Sequence, residues 1–429
     1  MKAIIDCNSF YSSCERLFQP HLNDKAVVVL SNNDGCIVSR SDEAKHLGIP
    51  MAGPYFEAKH IIEENEVSVF SSNYNLYGDL SMRVMDTLRM ITGGKNVEVY
   101  SVDEAFVDLG IIPIEELHET AKTIKETVEQ WTGISVSIGV APTKTLAKLA
   151  NHIAKKNKAA TGCVTVLTTK EELREALKKT RVSGIWGVGG ANATRLLNFG
   201  ITNAWELATM SEEWAYRNLG GVVGSRLIKE LNGEQAIGMK EELKEKKMIA
   251  TTRMFGNPVS DVKDIKEAIA TYTSRAAEKL RRQYCAAGVI SVFVVKKEQD
   301  HAINFRHAGI TGTVGTSTTL PAPTSITQEL IKPALELVDR LYKRGEEYKK
   351  AGVMLSGLVH DKSIQGNLFL SETKNCERKL MEMIDNINFS QRDDILKFAS
   401  SGTSRDWKMR QESRSPRYTT RWEELFEVS

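Results

Sequence analysis

The sequence predicts a multidomain α+β protein, and three observations lead there. A chain of 429 residues exceeds what one core usually organises, so three or four domains are expected. Short apolar runs of strand character alternate with amphipathic helical stretches over roughly the first 165 residues, the order of an α+β sheet. The text then changes character twice. Leu173 to Leu231 reads as short helices broken by glycines, and after a charged tether from Lys240 to Lys247 an independent α+β pattern runs to Leu358.

In chain order, Lys2–Asp6 reads as a buried strand, Ser9–Leu17 as helix and Ala26–Leu30 as a second strand. Asn32–Gly35 (NNDG) predicts a hairpin turn into Cys36–Ser39, and Ser41–Leu47 a helix stopped by Gly48 with Pro50 beyond it. Val97–Tyr100, a turn at Ser101–Glu104, and Ala105–Leu109 form a second strand-rich block; a helix Glu115–Trp131 and a strand Ile134–Val140 follow. A first strand placed beside such a hairpin describes a sheet of palm type. After the tether come a helix Lys263–Arg282, a strand Val289–Val295, a Gly/Thr/Pro-rich hairpin region, a helix Thr327–Tyr342 and a strand Gly352–Leu358. The last seventy or so residues are polar, with one helix expected at Cys376–Asn386.

Composition narrows the class. With 41% hydrophobic and 26% charged residues, and no run of about eighteen apolar residues, a soluble cytoplasmic enzyme without a membrane partner is expected. The six cysteines are scattered without a C-x-x-C pair, so neither a disulfide framework nor a structural zinc is indicated, and they read as small apolar fillers. A net charge of +2 says little about partners, because acidic patches elsewhere can mask a DNA-binding surface.

Chemistry is suggested by Asp6 at a strand end and Asp103-Glu104 in the turn of a later hairpin. If these strands are neighbours, three carboxylates meet at one end of a sheet and repel unless cations neutralise them; Mg²⁺ is the natural partner of such oxygens. The backbone carbonyl of Cys7 is a further candidate ligand. Taken singly, each segment also fits an ordinary turn. Lys144, Lys148 and Lys155 open a helix after Pro142, and the seven-residue spacing puts Lys148 and Lys155 on one face, where they suit a triphosphate, a DNA backbone or plain solvent.

Together the runs Asp6–Tyr11 (DCNSFY), Ser31–Cys36 (SNNDGC), Arg40–Lys45 (RSDEAK), Ser71–Tyr74 (SSNY), Tyr100–Phe106 (YSVDEAF) and Thr143–Asn151 (TKTLAKLAN) resemble the Y-family of DNA polymerases. The likeness continues through Arg275–Leu280, Lys350–Leu355 and Ser415–Arg421. It implies a right-hand DNA polymerase with palm (1–30 and 76–165), small fingers (31–75), helical thumb (166–239), tether (240–247), little finger (248–358) and a C-terminal partner-binding region (359–429). It implies two Mg²⁺ ions on Asp6, Asp103, Glu104 and the Cys7 carbonyl, with Tyr11 as a steric gate against a ribose 2′-OH. Phe10 and Tyr11 (through their amides), Ser39, Lys45 and Lys155 match triphosphate contacts. Asp42 departs from branches that carry an aromatic near that point. The resemblance implies low-fidelity bypass of damaged template, with primer-template DNA and dNTP as substrates.

Ile185–Gly190 (IWGVGG) followed by Arg195 and Phe199–Ile201 reads as a helix-hairpin-helix or a plain αα-hairpin; the family favours DNA, with Gly187, Gly189 and Arg195 at the phosphate. Arg253, Arg275, Arg281 and Arg282 are further phosphate candidates in the little finger. Gln365, Leu368 and Phe369 look like a short sliding-clamp docking peptide, which would raise local enzyme concentration at the primer end. The Ser31–Ser41 and Tyr418–Trp422 text points to the branch that works with a UmuD-like dimer and a RecA filament. A single-subunit bypass polymerase, a nucleotide cyclase and a non-catalytic clamp-bound repair adaptor are the alternatives; template dependence and the intact carboxylates separate them.

Overall fold

The computed structural model describes residues 1–240, 246–297, 312–364, 375–390, 395–403 and 406–426. Gln365, Leu368 and Phe369 lie outside them.

Among the described residues twelve strands form three sheets. In chain order they are β1 (Lys2–Cys7), β2 (Val27–Leu30), β3 (Ile37–Arg40), β4 (Ser68–Ser71), β5 (Val97–Val99), β6 (Glu104–Asp108), β7 (Val136–Ala141), β8 (Val164–Val166), β9 (Ile249–Val259), β10 (Cys285–Lys296), β11 (Thr313–Thr324) and β12 (Tyr348–His360). The first sheet runs β5-β6-β1-β7-β8. β1 is central and every one of its residues is buried, so it reads as an unbroken apolar run closed by Asp6. It pairs antiparallel with β6 and β7. One face packs on the helices Phe10–Phe18, Tyr74–Thr92 and Leu117–Thr132. The other face, through Ile4 and Phe106, packs on the helix Lys144–Lys156 and joins the core of the helical unit that follows.

β2, β3 and β4 make a separate small sheet, with β2–β3 antiparallel and β2–β4 parallel across the helix Tyr55–Glu64. β2 thus pairs with neighbours in the small sheet and not with β1, while its Val29 packs in the core of the first sheet. The NNDG connection does join antiparallel strands. It does so through a short 3₁₀ turn with Asn33 and Asp34 at positive φ, 61° and 52°, a conformation that Asn and Asp tolerate best among non-glycine residues.

The helical unit is anchored by a fully buried acid. Glu230 accepts hydrogen bonds from the amides of Thr145 (3.1 Å), Ala236 (2.8 Å) and Ile237 (2.9 Å), while its carbonyl takes the Thr143 hydroxyl (2.8 Å). Beyond the tether a four-stranded antiparallel sheet, β11-β10-β12-β9, is backed by the helices Val262–Arg281 and Thr327–Leu341. The Gly/Thr/Pro-rich hairpin region supplies the edge strand β11, antiparallel to β10, where Pro321 and Pro323 are tolerated because one side of an edge needs no ladder donors.

The C-terminal segment folds back over the molecule. Trp407 enters the core of this last sheet, edge-on to Phe255 and Tyr272. Arg414 bridges to Ser71 beside β4, and Tyr418 stacks on Phe18 at 4.6 Å in the core of the first sheet.

Candidate active site

Antiparallel register places Asp6 directly opposite Glu104 on β6 and Ser137 on β7. The amide of Cys7 donates to the carbonyl of Asp103, 2.8 Å, which brings the hairpin turn against the end of β1. The chain then leaves β1 through Asn8, whose side chain accepts from Ser137 Oγ (2.7 Å), and Ser9, held in the left-handed region at φ 46°. That turn sets the start of the helix Phe10–Phe18 beside the carboxylates. Phe10 is buried in the core, and Tyr11 is half-buried and packed against it.

The helix Lys144–Lys156 supplies the other wall. Gly139 on β7 faces it: a Cβ there would stand 2.1 Å from the Asn151 amide nitrogen and 2.3 Å from the Ala147 carbonyl oxygen, so strand and helix meet at a distance only glycine permits. From this helix Lys148 grips both oxygens of Glu104 (2.6 and 2.7 Å), Lys155 pairs with Asp6, and Asn151 Nδ2 approaches Asp6 Oδ2 at 3.4 Å. Lys148 also lies over the Tyr100 ring, 4.8 Å from its centroid. Asp6, Glu104, Lys148, Asn151 and Lys155 line a cavity of about 290 Å³ together with Ser183 to Trp186 of the helical unit.

The electrostatics follow from burial. Asp6, 7% exposed, is pushed up to about 7 by burial, with Lys155 opposing and Glu104 reinforcing the shift. For Glu104, burial acts upward but is outweighed by the hydrogen bond from Asp6 and by Lys148, so it stays below the usual carboxylate value. Burial thus disfavours charge on Asp6, while the partners of Glu104 favour charge there. Asp103 does not join them: its carboxylate accepts from Ser101 Oγ at 2.6 Å. Among the described residues no group of three His, Cys, Asp or Glu side chains is arranged around a cation position. Each of the three carboxylates has its own partner: Lys155 for Asp6, Lys148 for Glu104 and Ser101 for Asp103. Asp6 and Glu104, opposite one another across two strands, are oxygen donors of the kind that hard divalent cations take.

Among the other expected residues, Lys45 reaches Ser9 Oγ (3.1 Å) and Asp42 (2.6 Å). Asp42 also holds Lys158, and although burial acts upward the two lysines lower it to about 2. Ser39 is buried, its hydroxyl 3.0 Å from Ser12 Oγ and accepting from the Ser12 amide, so it braces the first helix turn. Lys144 is not on the site face: it is buried against Glu98 and the Phe106 ring. Gly187 takes φ +95° and Gly189 caps the helix Gly190–Asn198, both exposed. Arg195 is engaged with the Asn218 carbonyl, 2.7 Å.

In the last α+β unit Arg281 is committed to Asp385, Ser325 and Thr327, which corrects its reading as a phosphate contact. Arg275 and Arg282 both pair with Glu278, and Arg253 is exposed on β9. Sequence reasoning missed Asn151, although it lies between Lys148 and Lys155 at three- and four-residue spacings on one helix face. It also missed Tyr77, whose ring underlies Tyr11 with centroids 4.5 Å apart, and Trp186, whose indole donates to Tyr100 Oη at 3.3 Å.

Residues 5–152 match the impB/mucB/samB family, residues 246–368 the C-terminal domain of that family, and residues 378–428 a domain of unknown function (DUF4113). Protein UmuC of Salmonella typhimurium is 40% identical over 430 residues, covering all of both chains. The chain belongs to the UmuC branch of the Y-family DNA polymerases. Protein ImpB of Salmonella typhimurium is 37% identical over 434 residues, 99% of each chain. Among solved structures, a Y-family DNA polymerase chimera of Dbh and Dpo4 superposes with a TM-score of 0.68 at 22% identity, covering 84% of this chain and 99% of the other. The fold is accordingly that of a right-hand polymerase: the five-stranded sheet is its palm, and the four-stranded sheet beyond the tether its little finger. No helix among the described residues is long and apolar enough to cross a membrane.

Proposed function

We propose that this family member is a template-directed DNA polymerase for error-prone translesion synthesis in the DNA-damage response, extending a primer by attack of its 3′-OH on the α-phosphate of a dNTP. The observation that carries this reading is the pairing of Asp6 with Glu104 across β1 and β6, faced by Lys148 and Lys155 from one side of one helix.

Asp6, Asp103, Glu104 and the Cys7 carbonyl are the residues that would hold two Mg²⁺ ions. When bound, the ions would lower the pKa of the attacking hydroxyl and stabilise the leaving pyrophosphate. Lys155 and Lys45 would meet triphosphate charge, as would the first-turn amides of Phe10 and Tyr11, because a helix start presents unpaired N–H groups to anions. Asp42 keeps Lys45 in place by pairing with it. Tyr11 would bar a ribose by bulk. Gly187 and Gly189 offer backbone amides to template or primer phosphates without reading sequence. Gln365, Leu368 and Phe369 would dock on the sliding clamp, and a UmuD-like dimer with a RecA filament would complete the active assembly.

The test is primer extension by the purified chain with Mg²⁺ and dNTPs, comparing wild type with Asp103→Asn/Glu104→Gln, with and without clamp, accessory dimer and RecA filament. Template-dependent extension that the double variant loses is the expected result. Extension that persists in the variant, or none under any condition, overturns it.

A further inference from the structure

Tyr11 does not rest on a generic core. Its ring lies on the ring of Tyr77, centroids 4.5 Å apart and planes 16° from parallel, and Tyr74 stands edge-on to both. Tyr77 is fully buried on the helix Tyr74–Thr92, and its hydroxyl donates to Glu15 Oε1 at 2.6 Å. Glu15 stands one helical turn after Tyr11 and has no exposed surface.

A second donor reaches the same oxygen from the far end of the chain. Ser415 Oγ donates to Glu15 Oε1 at 3.0 Å, and Asn73 Nδ2 in turn donates to Ser415 Oγ and O (both 3.0 Å) and to the Pro416 carbonyl (3.1 Å). Glu15 Oε2 and Asn73 Oδ1 are buried without a hydrogen-bond partner.

Burying a carboxyl this way costs more than an apolar side chain of the same size. Its evident work is directional: it fixes the Tyr77 hydroxyl, and with it the plane of the ring under Tyr11. Aromatic stacking is sensitive to that plane. Three segments distant in sequence thus converge on one buried ring, and half-buried Tyr11 is stacked on it.

We propose that Tyr77 is a positioning residue for Tyr11, and that the C-terminal segment at Ser415, acting through Glu15, sets how strictly the site excludes ribonucleotides. This rests on the reading of Tyr11 as the sugar gate.

The test measures kcat and KM for single insertion of a dNTP and of the matching rNTP by the full chain under conditions that support extension. The variants are Tyr11→Ala, Tyr77→Leu, Tyr77→Phe, Ser415→Ala and Glu15→Gln, each with its melting temperature. Tyr11→Ala should raise relative rNTP use strongly. Tyr77→Leu, which removes the stacked ring, should raise it about three- to tenfold, the range a stacking contact is worth. The change should appear mainly as a lower KM for rNTP, with kcat for dNTP nearly unaltered. Tyr77→Phe and Ser415→Ala should shift selectivity the same way by less. Glu15→Gln should keep near-wild-type selectivity, because its amide oxygen still accepts both hydroxyls.

If Tyr11→Ala loosens selection while Tyr77→Phe and Ser415→Ala, folded normally, leave the ratio at wild type, the positioning proposal is overturned and the gate stands. If Tyr11→Ala itself leaves the ratio unchanged, the gate reading falls and the proposal falls with it. Loss of dNTP kcat in parallel with rNTP kcat would mark Tyr77 as merely structural and also overturns the proposal.

Discussion

Replacing Glu15 by glutamine isolates the cost of one buried carboxyl. Burial raises this group from 4.5 to about 7, partly offset by the hydrogen bonds from Tyr77 and Ser415. A carboxyl held higher in the folded than in the unfolded chain favours folding most when protonated in both states, below 4.5. As pH rises from there, the unfolded chain releases its proton while the folded one keeps it, and stability drains away until the folded group ionises near 7. At about 1.36 kcal/mol for each pH unit, the full loss is about 3 kcal/mol and is constant above neutrality. Urea unfolding of wild type and Glu15→Gln over a pH series, followed at the palm transition, reads this directly. The gap between the two proteins at acid pH reports how well an amide fits the site and is not the test. The test is the change in that gap: wild type should lose about 3 kcal/mol relative to the variant between about pH 4.5 and 7.5. Parallel stability curves would refute the argument, showing that the carboxyl is not held protonated by its surroundings.

Three further outcomes are expected. Gly139→Ala should cost about 1–3 kcal/mol by overpacking and depress extension as well, because the backbone it strikes at Asn151 and Ala147 belongs to the helix carrying Lys148 and Lys155; thermal unfolding and single-nucleotide insertion check both, and unchanged values would show the helix can retreat freely. Lys148→Met should lower the melting temperature in chelator by leaving Glu104 and Asp6 short of positive charge, and Mg²⁺ should then raise it by more than in wild type; equal Mg²⁺ shifts would mean Lys148 does not compete for Glu104. Trp407→Ala should destabilise the little finger by about 3–5 kcal/mol, since the ring is 6% exposed in that core; limited proteolysis that shows no new cleavage there would contradict it.

What was legible in the sequence was local. Asp6 at the close of an apolar run and Asp103-Glu104 inside a hairpin turn both announce themselves, and their pairing needs only the assumption that the two strands are neighbours, which the register Asp6↔Glu104 meets. The two little-finger strands that escaped notice, β9 and β11, are the edges of their sheet. An edge strand leaves much of its surface wet, so its apolar alternation fades and residues such as Pro321 and Pro323 are allowed. The lysine series shows the same limit. Spacing put Lys148 and Lys155 on one face, but Lys144 is drawn inside by Glu98 on β5, a partner no window along the chain reveals.

The C-terminal segment is the extreme case. Its polar text carries no period because its order comes from groups more than three hundred residues earlier: the Arg410 amide donates to Asn33, that of Glu412 to Asp34 and that of Ser413 to Ser71. Glu15 looks like a solvent-facing helix residue for the same reason, its second donor being Ser415. This has a mechanical consequence. The segment is fixed at one end in the little-finger core by Trp407 and at the other to the palm and fingers by Ser413, Ser415 and Tyr418. A displacement of the little finger against the palm must therefore either carry this strap with it or break contacts at Ser415. Any such displacement that broke the Ser415 contact would take one of the two donors from the carboxyl that holds the Tyr77 hydroxyl, beneath the ring of Tyr11.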